Sequence, residues 1–191
     1  MKSKTKNRHL IQRRICLPIF TLFIACSPKA QYLERLQEAK EFGKLSDFEI
    51  TQYAGSNYKM SEFISRLNSG RASKKLSDFE IIRFAASNHS LEKFLSRLTD
   101  VGESDIAGFQ RDQYAASAHN LEVFKNRLAE SKDSEISPFA RVEYAASNHS
   151  ITQFIARLTE AQNSSLSGFE QVQFAKSEHK MGAYKTRSVV P

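Results

Sequence analysis

The chain repeats one segment of about 30 residues, and this repeat constrains the fold more than any single residue does. The string Leu-Ser-Asp-Phe-Glu-Ile occurs twice, and three weaker copies follow it at regular intervals. A fixed period of this length is typical of stacked supersecondary units, because one unit cannot bury its apolar face alone. The copies begin at Leu45, Leu76, Ile106, Ile136 and Leu166.

The first half of each copy predicts a short helix, helix A. Ser46 precedes Glu49, and Ser77 precedes Glu80, by the spacing of a capping box, in which each side chain satisfies a free backbone N–H. Every helix A carries two aromatic positions and ends at a serine. The aromatic residues are Phe48, Phe79, Phe109, Phe139 and Phe169, then Tyr53, Phe84, Tyr114, Tyr144 and Phe174. The serines are Ser56, Ser87, Ser117, Ser147 and Ser177.

The second half of each copy predicts helix B. Leu91, Phe94, Leu95 and Leu98 follow the i, i+3, i+4, i+7 spacing of one apolar stripe. Short helices are marginal in water by themselves, so neighbouring stripes are expected to merge into one core. The predicted fold is all-α, a right-handed-type solenoid of about five 30-residue helical hairpins. The copies span 45–75, 76–105, 106–135, 136–165 and 166–191.

Both ends of the array differ from its middle. Leu36 matches Leu67 of the first full copy, which predicts a half repeat, a lone helix B, within residues 26–44. After the last helix A, Met181 and Tyr184 continue the helix B pattern. Atypical ends of this kind are expected of capping repeats, which shield the ends of an open array.

Residues 1–25 predict an export signal, because a basic segment without acidic residues precedes a short apolar run. The run from Ile15 to Ala25 is shorter than the roughly 20 residues that span a bilayer core. The sequence Phe-Ile-Ala-Cys at residues 23–26 resembles bacterial lipoprotein signals, and the resemblance implies that Cys26 becomes the diacylated N-terminus. An uncleaved N-terminal anchor is the alternative.

The charge of the chain is distributed unevenly. Its formal net charge is +7, with 28 basic and 21 acidic residues. Six of the basic residues lie within residues 1–25, which are called the leader below. From Cys26 onward the net charge is +1 and the two signs are interspersed, so the broad basic surface of a nucleic-acid-binding protein is absent. No cysteine follows Cys26, which excludes a disulfide or a cysteine metal site in the repeats.

An arginine recurs three residues after the aromatic residue of helix B, and this arginine series is the candidate binding site. Guanidinium groups bind carboxylates and phosphates bidentately. They also cover apolar surface and pair with helix C-termini, and both roles stay open. The positions are Arg35, Arg66, Arg97, Arg127, Arg157 and Arg187.

A second series lies in the turn between helix A and helix B. Packed helices lie about 10 Å apart, whereas metal–nitrogen bonds are about 2 Å long, so capping of the turn is favoured over metal binding. No metal or cofactor is predicted. No catalytic group stands apart from the repeat, and the chain is predicted not to be an enzyme. The residues of the turn series are Asn88, His89, His119, Asn148, His149 and His179.

The segment from Leu76 to Asn88 resembles the repeats of transcription-activator-like effectors. The resemblance implies hairpins whose inter-helix turns read DNA bases, with Ser87, Asn88 and His89 lining the groove. The period is shorter than in that family, and its glycine pair after the base-reading residues is missing.

Two functions remain. The first is a lipid-anchored, extracytoplasmic helical-repeat protein of the bacterial cell envelope that acts as a protein-binding scaffold. The alternative is a nucleic-acid-binding repeat protein in the cytoplasm or in a host cell, which applies if residues 1–25 are not an export signal.

Overall fold

The computed structural model of the protein describes residues 31–102, 105–106 and 108–182. The predicted export signal, Cys26 and Arg187 lie outside the described residues. Within them the secondary structure is helical, which confirms the all-α prediction. The helices are α1 Tyr32–Phe42, α2 Asp47–Gly55, α3 Met60–Ser73, α4 Asp78–Ala86, α5 Leu91–Asp100, α6 Phe109–Ala116, α7 Leu121–Glu130, α8 Pro138–Ala146, α9 Ile151–Gln162 and α10 Gly168–Lys176, with a 3₁₀ turn at Ser131–Asp133.

Side-chain caps define the start of most A helices, which are the even-numbered helices. Ser46 and Ser77 each accept a hydrogen bond from the backbone N–H three residues later. In return, the carboxylates of Glu49 and Glu80 accept a bond from the serine backbone N–H, so the predicted capping boxes are confirmed. In the third copy the N-cap is Gly108, which makes no side-chain cap, and α6 begins at Phe109, one repeat position later than the other A helices.

Each helix B packs most extensively on the helix A that follows it in the chain. The pairs are α1 with α2, α3 with α4, α5 with α6, α7 with α8, and α9 with α10. Short connections join the members of each pair, so the two helices run antiparallel. The packing unit therefore begins at helix B, whereas the copies defined from the sequence begin at helix A.

The five A helices form a closed ring. Each contacts the next one in the series, and α10 contacts α2. An open solenoid would have two separate ends, but here the fifth copy packs against the first. The expectation of an open array with two atypical ends is therefore corrected.

Helix α1 supplies the helix B that the fifth copy needs. In the first copy, Tyr53 of helix A packs edge-on against Phe63 of helix B, with ring centroids 5.6 Å apart. Phe174 of α10 packs in the same way against Tyr32 of α1, at 5.5 Å. The predicted half repeat is thus the closing piece of the ring.

Backbone hydrogen bonds fasten this closure. The N–H groups of Tyr32 and Leu33 donate to the carbonyl oxygens of Lys180 and Met181, at 2.8 and 3.1 Å. Met181 itself lies outside any helix, although the sequence predicted a helix B there. The described residues at the two ends of the chain therefore lie side by side, near the C-terminal ends of the A helices.

Candidate functional site

The A helices surround an axis on which three layers of side chains follow one another. At the N-terminal ends of these helices lies the phenylalanine layer, in which each half-buried ring packs on the next and the last packs on the first. The ring centroids are 5.0 Å apart for Phe48–Phe79, 6.0 Å for Phe79–Phe109, 5.3 Å for Phe109–Phe139, 5.7 Å for Phe139–Phe169 and 5.5 Å for Phe169–Phe48.

The second layer is polar, although it lies in the middle of the ring. Each copy contributes the residue that precedes its second helix A aromatic residue, and all five are buried. This layer was not predicted from the sequence, because a polar residue on a short helix is usually assigned to the solvent face. Its recurrence at one repeat position was the available signal. The polar layer consists of Gln52, Arg83, Gln113, Glu143 and Gln173.

Hydrogen bonds connect the polar layer around the axis. Gln52 donates from Nε2 to Gln173 Oε1 at 3.0 Å and accepts at Oε1 from Arg83 Nη1 at 2.9 Å. Arg83 also donates from Nη2 to Glu143 Oε1 at 3.0 Å, and Gln113 Nε2 donates to the same oxygen at 2.9 Å. Buried polar groups need such partners, because water cannot satisfy them.

Lys176 of α10 adds a second cation to this layer. Its Nζ donates to Gln113 Oε1 and to Glu143 Oε2, both at 2.8 Å. Burial alone would raise the pKa of Glu143, but Arg83 and Lys176 hold that pKa below its usual range. Burial lowers the pKa of Lys176 in spite of its attraction to Glu143. Two cations therefore share one buried carboxylate.

The polar layer and the phenylalanine layer are in direct contact. The guanidinium carbon of Arg83 lies 5.2, 5.0 and 5.4 Å from the ring centroids of Phe48, Phe79 and Phe109. These are cation–π distances, at which the negative face of an aromatic ring attracts a cation. Arg83 thus joins the two layers electrostatically.

The third layer surrounds a cavity of about 110 Å³ at the C-terminal ends of the A helices. Gln52, Arg83, Gln173 and Lys176 contribute to its polar lining. Its other lining residues are the small helix-end residues Gly55, Ala86, Ala116 and Ala146, the five helix-ending serines, and the turn residues Asn57, Asn88, Ala118, Asn148 and Glu178.

The arginine series binds the C-terminal ends of the A helices. Arg35 donates from Nε to Ala54 O at 3.2 Å and from Nη2 to Tyr53 O at 2.8 Å and to Tyr58 O at 2.6 Å. Its guanidinium carbon also lies 4.1 Å from the Tyr53 ring centroid. Equivalent carbonyl bonds and ring contacts are made by Arg66, Arg97, Arg127 and Arg157.

These contacts give the arginine series a packing role at the ends of the A helices. Main-chain carbonyls at a helix C-terminus lack intrahelical partners, and a guanidinium satisfies them and opposes the negative end of the helix dipole. Arg35 and Arg97 are buried, with 7 % and 6 % of their surface exposed. Their donors point into the protein, so these two are poorly placed to bind a ligand.

The histidine series links neighbouring copies through their turns. Each Nε2 lies 2.7 to 2.8 Å from the carbonyl oxygen of the helix-ending serine of the next copy. A carbonyl oxygen only accepts, so Nε2 carries the proton. The pairs are His89 with Ser117, His119 with Ser147, His149 with Ser177, and His179 with Ser56.

Tyr58 completes this circle of bonds, because its hydroxyl donates to Ser87 O at 3.0 Å. The asparagines of the same turns have another position: Asn88 and Asn148 are exposed and line the cavity mouth. Asn148 donates to Glu178 Oε1 at 3.2 Å. Among the described residues, no group of three histidine, cysteine or acidic side chains is placed to hold a metal ion.

The five turns converge on one small cavity instead of following one another along a groove. A double helix offers a major groove about 12 Å wide, and reading it requires side chains arranged along its length. Ser87 is buried at a helix end, and His89 is engaged with Ser117. The base-reading role that the resemblance implies stays a prediction.

A comparison with known protein families, curated proteins and solved structures finds no match. In the described part of the chain, no helix has both the length and the apolar character needed to cross a bilayer.

Proposed function

We propose that this protein is a lipid-anchored scaffold of the bacterial cell envelope, in which a closed array of helical hairpins binds another protein. The resemblance of residues 23–26 to lipoprotein signals supports the anchor, with Cys26 as the acylated residue. Two or three acyl chains would hold the protein at a membrane surface firmly, whereas one chain binds only marginally.

The position of the first and last described residues would orient the scaffold. Tyr32 lies beside Lys180, at the same end of the ring as the cavity. Five residues lie between Cys26 and Tyr32, so even a fully extended segment spans only about 20 Å. An anchor at Cys26 would therefore attach near the cavity end and leave the phenylalanine layer on the opposite side.

The phenylalanine layer is the observation that carries the binding proposal. Five half-buried aromatic rings form one contiguous patch, in which each ring packs on the next. Contiguous apolar patches on a protein surface mark interaction sites, and aromatic side chains contribute most to binding energies.

Charge indicates the chemistry of the partner. Asp47 and Asp78 are exposed and directly precede Phe48 and Phe79. A partner segment with an apolar side chain at the centre of the phenylalanine layer and a basic residue beside these carboxylates would match the surface. We therefore propose a protein partner with a basic and apolar segment.

Metabolic labelling tests the anchor. A palmitate analogue is expected to label the wild-type protein and to leave Cys26→Ala unlabelled, with the membrane-pelleted fraction falling in parallel. Cys16→Ala, which changes the other cysteine of the leader, is the matched control and should still be labelled. Equal labelling of the Cys26→Ala protein would reject the anchor.

Photo-crosslinking in the host cell tests the binding surface. A photoreactive residue at Asp47 is expected to give one discrete adduct, which Asp78→Lys abolishes. The same probe at the exposed Glu92, near the opposite end of the ring, is the control and should not give this adduct. Identical adducts from both positions would reject the phenylalanine layer as the docking surface.

A further inference from the structure

We propose that the axial cavity binds a small carboxylate group, with Lys176 as its principal partner. This site lies at the opposite end of the axis from the phenylalanine layer, and the proposal does not depend on the scaffold function.

The lining of the cavity carries an excess of positive charge. Arg83 and Lys176 line it, and the one carboxylate they share is Glu143, whose two oxygens are already engaged by these residues and by Gln113. Buried cations without full compensation favour an anionic ligand. Glu178, on the rim, is exposed to solvent and hydrogen-bonded by Asn148, which weakens its influence on the floor.

Hydrogen-bond donors are in surplus at the same place. Arg83 Nε has no hydrogen-bond partner within the described residues, although the side chain is almost fully buried. Arg83 and Gln173 both line the cavity. An unsatisfied buried N–H is costly, so the site favours a ligand rich in acceptor oxygens.

Lys176 differs from the residues at the same position in the other four copies. The equivalent residues of the other copies are Gly55, Ala86, Ala116 and Ala146, whose small side chains leave space on the axis. An ammonium group has three N–H donors, and Lys176 uses two of them on Gln113 and Glu143. Its side chain is 22 % exposed, so the remaining donor can meet a ligand in the cavity.

The helix ends around the cavity do not exclude an anion. The C-terminal end of a helix carries partial negative charge, which by itself would repel a carboxylate. The arginine series donates to the carbonyl oxygens at these ends and so offsets their charge, as Arg97 does at Tyr114 and Ala115. The exposed amide of Asn88 at the mouth adds a further possible donor.

The size of the cavity limits the ligand. Its volume of about 110 Å³ corresponds to between three and four waters at about 30 Å³ each. A carboxylate with one or two carbon atoms fits this volume, and a longer acid must leave its remainder outside the mouth. The same chemistry occurs in a free small acid and at the C-terminus of a peptide.

Calorimetric titration of the purified full chain with acetate tests the proposal. Acetate is expected to bind at one site, and acetamide, which has the same shape without the charge, at least about ten-fold more weakly. Methylammonium should not compete. No binding of acetate, equal binding of acetamide, or preferential binding of methylammonium would each overturn the assignment.

Two variants locate the site. Lys176→Ala, which installs the residue found in three other copies, is expected to weaken acetate binding at least about ten-fold. Lys180→Ala removes one exposed positive charge nearby and should leave binding unchanged. If Lys176→Ala does not fold, Lys176→Gln, which retains a hydrogen-bond donor, takes its place. Equal losses in the Lys176 and Lys180 variants would overturn the proposal.

Triglycine and its C-terminal amide distinguish the two sources of the carboxylate. Binding of triglycine, but not of the amide, supports a peptide C-terminus as the ligand. Binding of acetate without triglycine supports a small free acid. Equal binding of triglycine and its amide contradicts the proposal, because the amide has no carboxylate.

Discussion

The guanidinium of Arg83 meets the carboxylate of Glu143 inside the ring, with Nη2 and Oε1 3.0 Å apart and the two side chains 1 % and 0 % exposed. The two residues belong to the second and fourth copies, which are not neighbours in the ring. An ion pair this deeply buried is costly to form and more costly to break, because removing one partner leaves an uncompensated charge. It also distinguishes the copies from one another, since no other copy has these residues at this position.

Glu143→Gln is expected to lower the free energy of unfolding by about 3–5 kcal/mol, because Arg83 and Lys176 then lack a buried counter-ion. Urea denaturation measures the change. The exposed Glu122→Gln is the control and should change stability by less than about 0.5 kcal/mol. Adding Arg83→Gln to Glu143→Gln should recover part of the loss, since the layer would then contain five glutamines. A loss below about 1 kcal/mol in the single variant contradicts this role.

Arg97→Met is expected to destabilise the protein by about 2–3 kcal/mol, because two buried carbonyl oxygens of α6 lose their donor. Arg97→Lys should recover less than half of the loss, since an ammonium cannot reproduce the planar fork of a guanidinium. The exposed Arg71→Met serves as the control. Full recovery by lysine, measured by urea denaturation, would show that charge alone is needed.

Stability is expected to fall as the pH is lowered from 7.5 to 5.5. Burial, followed by nearby Arg97 and Lys93, lowers the pKa of His89, and burial also lowers the pKa of His179. The unfolded chain, with histidine near pKa 6.5, then binds protons more readily than the folded one. The stabilisation that the neutral His89 and His179 provide is therefore complete above the pKa of histidine in the unfolded chain. It is lost as the pH falls below that value.

The double variant His89→Tyr, His179→Tyr tests the origin of this pH dependence. Tyr58 makes the equivalent bond to Ser87 in the first copy, so a tyrosine can replace the histidine in this contact. The slope of unfolding free energy against pH should therefore become smaller in the double variant. The chosen window lies above the range in which Glu143 titrates. An unchanged slope would assign the effect to other groups.

Ring closure predicts that a circular permutant folds. Joining residue 182 to residue 31 by a short glycine linker, with new ends between Asn163 and Ser164, should keep the melting temperature within about 5 °C. The new ends lie in a connection between helices at the surface. Deletion of residues 31–44 should instead abolish cooperative unfolding, because it uncovers Phe174. A permutant that fails to fold, followed by circular dichroism, would contradict closure.

The local structure was predictable because its causes lie within a few residues of one another. Ser77 and Glu80 form their capping box within one turn, and the spacing of Leu91 and Phe94 follows from the period of the helix. The packing role of the arginine series was also foreseen as one of two alternatives. Its partners, the carbonyl oxygens of the next helix A, could not be identified without the fold.

The amino-acid sequence by itself determined the all-α class, the repeat and the caps, because hydrophobic period and capping chemistry act locally. Only the tertiary structure decided that the array closes on itself and that Arg83, Glu143 and Lys176 meet inside it. Closure depends on the angle between successive copies, and small differences in side-chain packing accumulate over the whole array. A polar residue on one face of helix A becomes buried only when that face turns toward the axis.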